Sequence, residues 1–408
     1  MSQPTLKLLE HHNYESEGWV NKFFWGHNTD VMKHLAQTHA GSVDLVYIDP
    51  PFGSDANYKN KIVLRDSTKD SVLFQEKQYA DYFTNEQYKD FIFEKLTLCR
   101  ELLAETGSIY VHCDWHKSHH VRMLLDEVFG EKNFVNEIIW SYASGGVSKK
   151  CFARKHDTIF LYSKQKNGYT FNLQQEKAYS PDLKPRKSLF DGVEQYEDER
   201  GWYTWRYLRD VWDIPIIGRS ANERENYPTQ KPETLLERII RVSTNQGDLV
   251  LDVFMGSGTT PVVAAKMGRR FIGADCNQTA VNTAIKRLTK METNLPFQVW
   301  ETEKHSPIEA SLELDLADGE LVVKHFCPKT LVDKIEGEGK RFIDWRQLVD
   351  SVMIDWNYDG QVFKPGTVDI PRKRTFVKGS YSVPQSFADV MVKIVDITGY
   401  AFWGVRSW

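Results

Sequence analysis

The sequence predicts an α/β fold with a doubly wound, mostly parallel sheet, and three observations support this prediction. Continuously apolar runs such as 42–48 and 248–254 are typical of strands that are buried on both faces of a sheet. Amphipathic stretches with helical periodicity, such as 84–103 and 232–243, lie between these runs. Strands that alternate with crossover helices form parallel sheets, so we expect one large sheet of this kind.

The predicted elements follow in this order. In the first half we expect a helix over 30–41, a strand over 42–48, a helix capped by Thr84 or Asn85, a strand over 107–114, a helix that ends at Gly130, and strands over 135–142 and 157–164. Residues 167–226 show little periodicity. Alternation then resumes with a helix over 232–243, a strand over 248–254, a helix over 259–267, a strand over 270–275 and a helix over 277–288. A linker near 295–309 should lead to a small β-rich region.

The composition excludes several classes of protein. Of the 408 residues 41% are hydrophobic and 26% are charged, which is ordinary for a folded protein of two or three domains. No apolar stretch approaches the length of a membrane span and no signal peptide is recognisable, so we expect a cytoplasmic protein without a membrane partner. The five cysteines are scattered, which argues against disulfides and structural zinc, and no metal site is predicted. A net charge of -4 gives no global sign of nucleic-acid binding.

A glycine turn lies between a strand and a helix in the second half. The strand runs into Asp252, the turn contains Gly256 and Gly258, a helix opens at Thr259, and Asp275 ends the next strand. Glycines let the backbone approach a ligand, and an acid in this place can accept hydrogen bonds from ribose hydroxyls. An empty turn and a dinucleotide oxidoreductase are alternative interpretations. The third glycine of a pyrophosphate site is missing, which favours an adenosyl ligand without pyrophosphate.

The tetrapeptide DPPF, residues 49–52, ends a buried strand in the first half. Proline lacks an N–H and fixes its own φ, so the segment is stiff and extended. Ligands of open α/β sheets bind at the carboxyl ends of strands. The Asp49 carboxylate and the Pro50 carbonyl could accept both hydrogens of an aromatic amino group while Phe52 stacks on the ring, which suits a flipped nucleobase.

Together these motifs resemble those of the S-adenosylmethionine-dependent amino-group DNA methyltransferases in which a DPPY-type motif precedes the glycine motif. Five ordered blocks between residues 20 and 292 carry the resemblance: VDLVYIDPPFGSDANY, GSIYVHCDWHKSHHVRMLLDEVFGEKNFVNEIIW, KHDTIFLYSK, YPTQKPETLLERII and DLVLDVFMGSGTTPVVAAKMGRRFIGAD. The nearest likeness is to N6-adenine enzymes allied to type III modification subunits. Phe52 stands where the family more often has tyrosine, which keeps the stacking surface.

The resemblance implies a set of site residues. The catalytic segment would be Asp49, Pro50, Pro51 and Phe52. The S-adenosylmethionine pocket would be formed by His27, Asn28, Asp49, Thr229, Gln230, Lys231, Asp252, Phe254, Gly256, Ser257, Gly258, Thr259, Thr260 and Asp275. His27 lies where relatives usually carry an acid, so either His27 or Asn28 would take over the contact with the cofactor's adenine.

Local charge predicts a DNA-binding surface. Basic residues occur with aromatics in two stretches, and the candidates are Lys149, Lys150, Arg154, Lys155, Arg206 and Arg209. The predicted division is a catalytic half at 1–140, a target-recognition region at 141–226, a cofactor half at 227–295 and a β-rich accessory domain at 296–408. The favoured function is N6-adenine methylation of double-stranded DNA, with N4-cytosine methylation and a non-catalytic DNA-binding regulator as alternatives. A homodimer and a separate restriction subunit are left open.

Overall fold

The structure is a computed structural model, and it describes the chain except for a set of short segments. These segments are residues 1–5, 16, 53–56, 66–70, 81–83, 143–148, 182–183, 186–192, 219–220, 226, 292, 294, 303–307, 373 and 407–408, together with the side chains of 57–61, 71 and 76–80.

The elements alternate along most of the chain. The first part contains β1 (Lys7–His12), β2 (Asn21–Trp25), α1 (Asn28–Thr38), β3 (Val43–Ile48), β4 (Asn57–Leu64), β5 (Ser71–Ala80), α2 (Asn85–Leu102) and β6 (Leu103–Cys113). The middle part contains α3 (Ser118–Phe129), a 3-10 helix (Glu131–Asn133), β7 (Phe134–Ser141), β8 (His156–Ser163), β9 (Gln175–Tyr179), β10 (Tyr196–Asp198), β11 (Gly201–Tyr207) and β12 (Val211–Asp213).

Regular alternation then returns before the chain becomes mostly β. The next elements are α4 (Glu233–Ser243), β13 (Leu249–Asp252), α5 (Thr259–Lys266), β14 (Arg270–Asp275), α6 (Gln278–Thr289) and β15 (Phe297–Glu301). The C-terminal region, residues 308–406, contains β16 (Ala310–Ala317), β17 (Glu320–Pro328), α7 (Lys329–Gly337), a 3-10 helix (Trp345–Leu348), β18 (Val349–Asp355), β19 (Thr367–Asp369), β20 (Ser380–Ser382), β21 (Val390–Asp396) and β22 (Ala401–Arg406).

Most of the described strands outside the C-terminal region join one large sheet. Its order is β1-β15-β2-β14-β13-β3-β6-β8-β7-β12. The pairs from β15 to β6 are parallel, whereas β8 runs antiparallel to both β6 and β7. The prediction of a mostly parallel sheet is confirmed. Across the described chain, no helix combines the length and the apolar character that a membrane crossing requires.

Helices cover both faces of this sheet, because alternate strand residues point to opposite sides. Leu45 and Tyr47 of β3 belong to a core that α4, α5 and α6 cover. Val46 and Ile48 belong to a second core that α1, α2 and α3 cover. Thr84 caps α2 as predicted, through a reciprocal pair of hydrogen bonds with Gln87. The sheet is therefore doubly wound.

The structure corrects several sequence predictions. The prediction of a linker at 295–309 is wrong for its first half. Strand β15 pairs there with β2 and β1 in the large sheet, and Phe297 and Val299 are buried. The expected recognition region at 141–226 contains β8, which is buried between β6 and β7, and β12, which pairs with β7. Strands β1 and β2 and the hairpin β4–β5 were not predicted.

The C-terminal region is β-rich, as predicted, and packs against two earlier parts of the chain. It forms two antiparallel sheets, ordered β16-β17-β20 and β19-β18-β21-β22. Apolar side chains of the hairpin β4–β5 form one cluster with side chains of α7 and of the 3-10 helix that precedes β18. The members are Ile62, Leu64, Leu73, Leu331, Ile335 and Leu348. Asp350 accepts hydrogen bonds from Arg65 Nη2 at 2.6 Å and from Lys286 Nζ at 2.8 Å, so it joins this hairpin to α6.

Candidate active site

Three strand ends of the large sheet meet at one cavity of about 570 Å³. β3 and β13 are paired in parallel, with Leu45 opposite Val250, and β13 pairs in the same way with β14. Parallel neighbours end at the same edge of a sheet, so the segments that follow these three strands come together there. The predicted adjacency of the DPPF segment and the glycine turn is therefore present, although about half the chain separates them in sequence.

The DPPF segment forms one wall of the cavity. The Asp49 side chain is 14% exposed, and the Lys231 ammonium donates a hydrogen bond to its Oδ2. Its Oδ1 is buried and has no hydrogen-bond partner among the described residues; His112 Nδ1 lies 4.0 Å away. A buried acceptor without a donor is costly, so this oxygen can gain from a ligand that donates to it. The Lys231 ammonium also lies 5.8 Å from the centre of the Phe52 ring.

A buried hydrogen-bonded chain supports this wall from behind. The Tyr47 hydroxyl lies 2.9 Å from His112 Nδ1, and His112 Nε2 lies 3.1 Å from Asp157 Oδ2. The Tyr142 hydroxyl donates to Asp157 Oδ1 at 3.0 Å. Burial raises the pKa of the Asp157 carboxyl, but the interactions with His112, Lys231 and Tyr142 together outweigh burial and hold the pKa below its usual value. Strands β3, β6 and β8 thus fix the imidazole beside Asp49.

The glycine turn forms the opposite wall. Gly256 has a φ of +50°, and a Cβ there would lie 3.2 Å from the Tyr227 ring. The backbone N–H groups of Gly256 and Asn277 donate to the two oxygens of Asp275, each at 2.9 Å. The turn and the acid are therefore held in one rigid unit, with the backbone exposed toward the cavity.

Two carboxyl groups of this wall have raised pKa values. Burial raises the pKa of Asp275 to about 6 and that of Asp252 to about 7. Backbone donors oppose the effect in both cases, and the Thr260 hydroxyl also donates to Asp252 Oδ2 at 2.6 Å. A cationic ligand in the cavity would favour the ionised form of both acids.

Arg287 of α6 secures the glycine turn. Its side chain is buried, and Nη1 donates at 3.0 Å to both the Ser257 carbonyl and Thr259 Oγ1. Nη2 donates at 2.8 Å to Glu233 Oε1 at the start of α4. One guanidinium thus joins the turn to two helices.

Most of the predicted site residues line the cavity. Those that do are His27, Asn28, Asp49, Pro50, Pro51, Phe52, Thr229, Lys231, Asp252, Phe254, Gly256, Ser257, Thr259, Thr260 and Asp275. Gln230 and Gly258 are not among its lining residues. No cluster of His, Cys, Asp and Glu side chains within the described ranges could hold a metal ion.

Other contacts account for Gln230, Gly258 and Lys231. The Gln230 side chain accepts from the Glu225 N–H at 2.9 Å and donates to the Glu223 carbonyl at 2.5 Å, so it shapes the loop. A Cβ at Gly258 would lie 2.5 Å from Ala284, so this glycine allows close packing of α6. Lys231 lines the cavity but pairs with Asp49, which sequence reasoning did not anticipate.

The predicted DNA-binding residues occupy two places. Lys149, Lys150 and Arg154 are exposed, and the Arg154 guanidinium lies 3.6 Å from the centre of the Trp115 ring. Phe152, among them, is 98% exposed. This segment leads into β8, and β8 carries Asp157, a member of the hydrogen-bonded chain behind Asp49. The segment therefore lies at the cavity edge of the sheet.

Of the remaining three candidates, Arg206 lies in β11 and Arg209 follows this strand. Arg206 is exposed and donates two hydrogen bonds to Glu176 Oε1, at 3.0 and 2.7 Å. Arg209 and the half-buried Lys155 complete the predicted set.

Several residues that line or support the cavity were missed, because the motifs assign them no role. Trp25 and Tyr47 lie within or at the end of strands, and Tyr227 precedes the PTQKP block. Arg287 looks like an exposed helix residue, since its burial depends on α4. His112 in YVHCD could have been predicted, because a polar residue near the end of an apolar strand lies at the edge of the sheet where ligands bind.

Comparisons with known proteins agree with this geometry. A family model described as DNA methylase, of the N6/N4 type, matches residues 43–286. The DNA adenine methyltransferase YhdJ of Escherichia coli (strain K12) is 31% identical over 264 residues, which are 64% of this chain and 80% of that protein. The type II methyltransferase M2.DpnII of Streptococcus pneumoniae is 31% identical over 279 residues, 67% of this chain and 92% of that protein. Neither relative carries the type III label that the sequence resemblance suggested.

A solved structure is also similar. The M1.HpyAVI–SAM complex has 20% sequence identity and a TM-score of 0.43, covering 65% of this chain and 98% of that chain. The family match includes both the DPPF segment and the glycine turn and extends over more than half of the sequence. The chain therefore belongs to the N6/N4 DNA methylase family.

Proposed function

We propose that the protein transfers a methyl group from S-adenosylmethionine to the exocyclic N6 of an adenine flipped out of double-stranded DNA. The observation that carries this proposal is the single cavity whose opposite walls are the DPPF segment and the glycine turn. The relative YhdJ, which is named a DNA adenine methyltransferase, supports adenine over cytosine as the target. The proposal places the protein in the cytoplasm, and a homodimer or a restriction subunit is not part of it.

The cavity residues fit S-adenosylmethionine. A volume of about 570 Å³ lies within the usual range for small-molecule sites. Asp275 has acceptor capacity left for ribose hydroxyls beside its two backbone donors, and the bare Gly256 backbone permits close approach. Asp252 and Asp275 also suit a ligand that carries positive charge. When bound, S-adenosylmethionine supplies an electrophilic methyl group on a sulfonium.

The residues of the other wall would hold the reacting amine. Asp49 and the Pro50 carbonyl accept hydrogen bonds from the amino group and thereby increase the electron density on its nitrogen, while Phe52 stacks on the base. The Lys231 ammonium lies beside both Asp49 and Phe52, so it moves aside or shares Asp49 when the amine enters. Because the cofactor is already a strong electrophile, positioning and fixed dipoles suffice for the reaction.

We propose a DNA-binding role for the surface around Phe152. Lys149, Lys150, Arg154 and Lys155 would neutralise phosphates, and the exposed Phe152 ring would fill the gap that the flipped base leaves. Sequence recognition is assigned to residues 164–210, because β8 and β12 on either side belong to the large sheet. Replacing only this segment by that of a relative should change the methylated sequence; an unchanged sequence contradicts the assignment.

The experiment that tests the function measures both the transfer and its product. Purified protein is incubated with methyl-labelled S-adenosylmethionine and duplex DNA, and the DNA is hydrolysed to nucleosides. Label in N6-methyladenine supports the proposal. Label in N4-methylcytosine establishes the cytosine alternative, and DNA binding without any transfer, on DNA pooled from several genomes, establishes the non-catalytic regulator.

A further inference from the structure

Tyr400 lines the active-site cavity although it lies far outside the matched residues 43–286. It belongs to the C-terminal region, in the turn that connects β21 to β22. From sequence alone, a region of this kind could clamp DNA, support a dimer or cap the sheet. Its presence at the cavity indicates a fourth role.

The turn is held in place by its own hydrogen bonds. Asp396 Oδ1 accepts from the backbone N–H groups of Thr398 at 2.8 Å and Tyr400 at 3.1 Å. Between them, Gly399 has a φ of +91°, which favours glycine. The position of the Tyr400 backbone therefore follows from a built turn.

The same turn is docked on the start of α6. Asn282 Nδ2 donates to the Gly399 carbonyl at 2.9 Å, and a Cβ at Gly399 would lie 2.8 Å from Thr279 Cβ. This contact leaves no space between the turn and the helix. Tyr400 is consequently fixed relative to the segment that follows Asp275.

Tyr400 lies at the Asp275 end of the cavity. Together with Trp25 and Gln278 it forms the partition between this cavity and a neighbouring one of about 560 Å³. Trp25 is directly opposite Asp275 in the pairing of β2 with β14, and Gln278 begins α6. The acid expected to bind ribose and the Tyr400 ring thus share one end of the site.

We propose that Tyr400 is a cofactor-binding residue that the C-terminal region supplies, and that its ring packs against the nucleoside part of S-adenosylmethionine. This inference rests on the proposed function. A rigid aromatic side chain offers a flat surface to a purine or ribose at little cost in conformational entropy. The C-terminal region thereby becomes part of the cofactor site, whereas the matched family residues form the rest of the cavity.

Binding of S-adenosylmethionine and S-adenosylhomocysteine by isothermal titration calorimetry tests the inference. Both ligands contain the nucleoside, so Tyr400→Ala should weaken both by the same factor, about 5- to 10-fold. Tyr400→Phe should bind like the unmodified protein, because the ring remains. Tyr358→Ala is the matched control, since Tyr358 of the same region lines the neighbouring cavity and is not among the residues that line the active-site cavity; its effect should stay below about 2-fold.

The outcomes separate the two proposals. If the unmodified protein binds neither ligand, the proposed function fails. If it binds both and Tyr400→Ala binds equally well, the function stands and the role of Tyr400 is refuted. Tyr400→Leu, which keeps apolar volume at the turn, is measured in parallel together with thermal unfolding. A folded Leu variant with weakened binding supports the role of the ring, and one with unchanged binding overturns it.

Discussion

The two walls of the cavity hold their carboxylates in different ways. Asp49 is bound by one flexible side chain, Lys231, and keeps one oxygen without a described partner. Asp275 accepts from two backbone N–H groups, and Asp252 accepts from one backbone N–H and the Thr260 hydroxyl. Backbone donors cannot swing away, whereas a lysine side chain can adopt other rotamers. Asp49 can therefore exchange its hydrogen-bond donor, whereas the backbone donors of the other wall are fixed.

This difference matches the two tasks of the proposed reaction. The wall that receives the base must release and accept hydrogen-bond partners at every turnover. The wall that binds the cofactor needs a constant shape, which Arg287 reinforces by joining the glycine turn to α4 and α6. Changes in the first wall should alter turnover, and changes in the second should alter cofactor affinity.

The largest expected effect separates these two properties at Asp49. Asp49→Ala should reduce methyl transfer by about 100- to 1,000-fold, because a preorganised acceptor for the reacting amine is lost. Affinity for S-adenosylmethionine should stay within about 3-fold, since the glycine wall is untouched. Transfer assays and calorimetry on one preparation measure both. Asp90→Ala, on the exposed face of α2, is the control, and undiminished turnover of Asp49→Ala would falsify the assigned role.

The converse substitution on the fixed wall should give the opposite pattern. Asp275→Ala removes the proposed ribose acceptor and the partner of the Gly256 N–H. Cofactor affinity should fall by about 10- to 100-fold, which corresponds to one or two lost charge-assisted hydrogen bonds. The kcat at saturating cofactor should change by less than about 5-fold. A variant that loses kcat but not affinity would remove the distinction between the walls.

The pKa values of the fixed wall predict a pH dependence of cofactor affinity. Asp275, with a pKa of about 6, and Asp252, with a pKa of about 7, are partly protonated near pH 6, and a cationic ligand favours their ionised forms. Affinity should therefore rise with pH, and Asp275 alone should make it about 4-fold higher at pH about 7.5 than at pH about 5.5. Calorimetry over this range measures the trend. Asp275→Asn should remove its share and leave that of Asp252, so the dependence on pH becomes shallower, and an unchanged slope in that variant contradicts the assignment.

The same two acids should lower the free energy of unfolding as pH rises, whereas they raise the cofactor affinity over the same range. Their folded pKa values lie above the usual value of a free aspartate, so the folded state without cofactor binds protons more tightly than the unfolded state. Their contribution to the free energy of unfolding is thus fully present below pH about 4 and is lost as pH rises through about 6 and 7.

The smallest effects are expected from substitutions outside the cavity, which should leave the structure of both walls unchanged. Lys149→Ala should weaken DNA binding a few-fold and reduce the slope of log affinity against log salt by about 1, because one phosphate contact is lost. Arg206→Ala should do less, since Glu176 already pairs with that guanidinium. Fluorescence anisotropy with labelled duplex DNA at several salt concentrations measures both. An effect on cofactor affinity from either variant would contradict their separation from the cavity.

The sequence predicts the site better than it predicts the boundaries of the fold. Acids at the end of an apolar strand, such as Asp275, or directly after it, such as Asp49, are recognisable because parallel strands end at one edge. The Lys231–Asp49 pair is not recognisable, since a charged side chain in a loop carries no sign of its partner. Gln230 and Gly258 were assigned from a motif, although their contacts concern only the loop and the packing of α6.

The fold was predicted where elements have strong periodicity and missed where they are short or lie at edges. The sequence does not distinguish β15 from a linker, because FQVWE is short and polar residues surround it. The sequence does not separate β8 from the recognition region, because the place of β8 between β6 and β7 depends on distant pairing. The contact of Tyr400 with the cavity depends on a turn near the end of the chain, and no local pattern predicts it.

The pairing of β3 with β13 has a consequence for the time at which the protein becomes active during synthesis. Asp49 and the strand β3 before it leave the ribosome early, but Leu251, which pairs with Val46 of β3, and the acid Asp275 are translated some two hundred residues later. Tyr400 follows last of all. A nascent or prematurely terminated polypeptide that stops before these residues therefore lacks one wall of the pocket, and incomplete translation products should be unable to modify the genome.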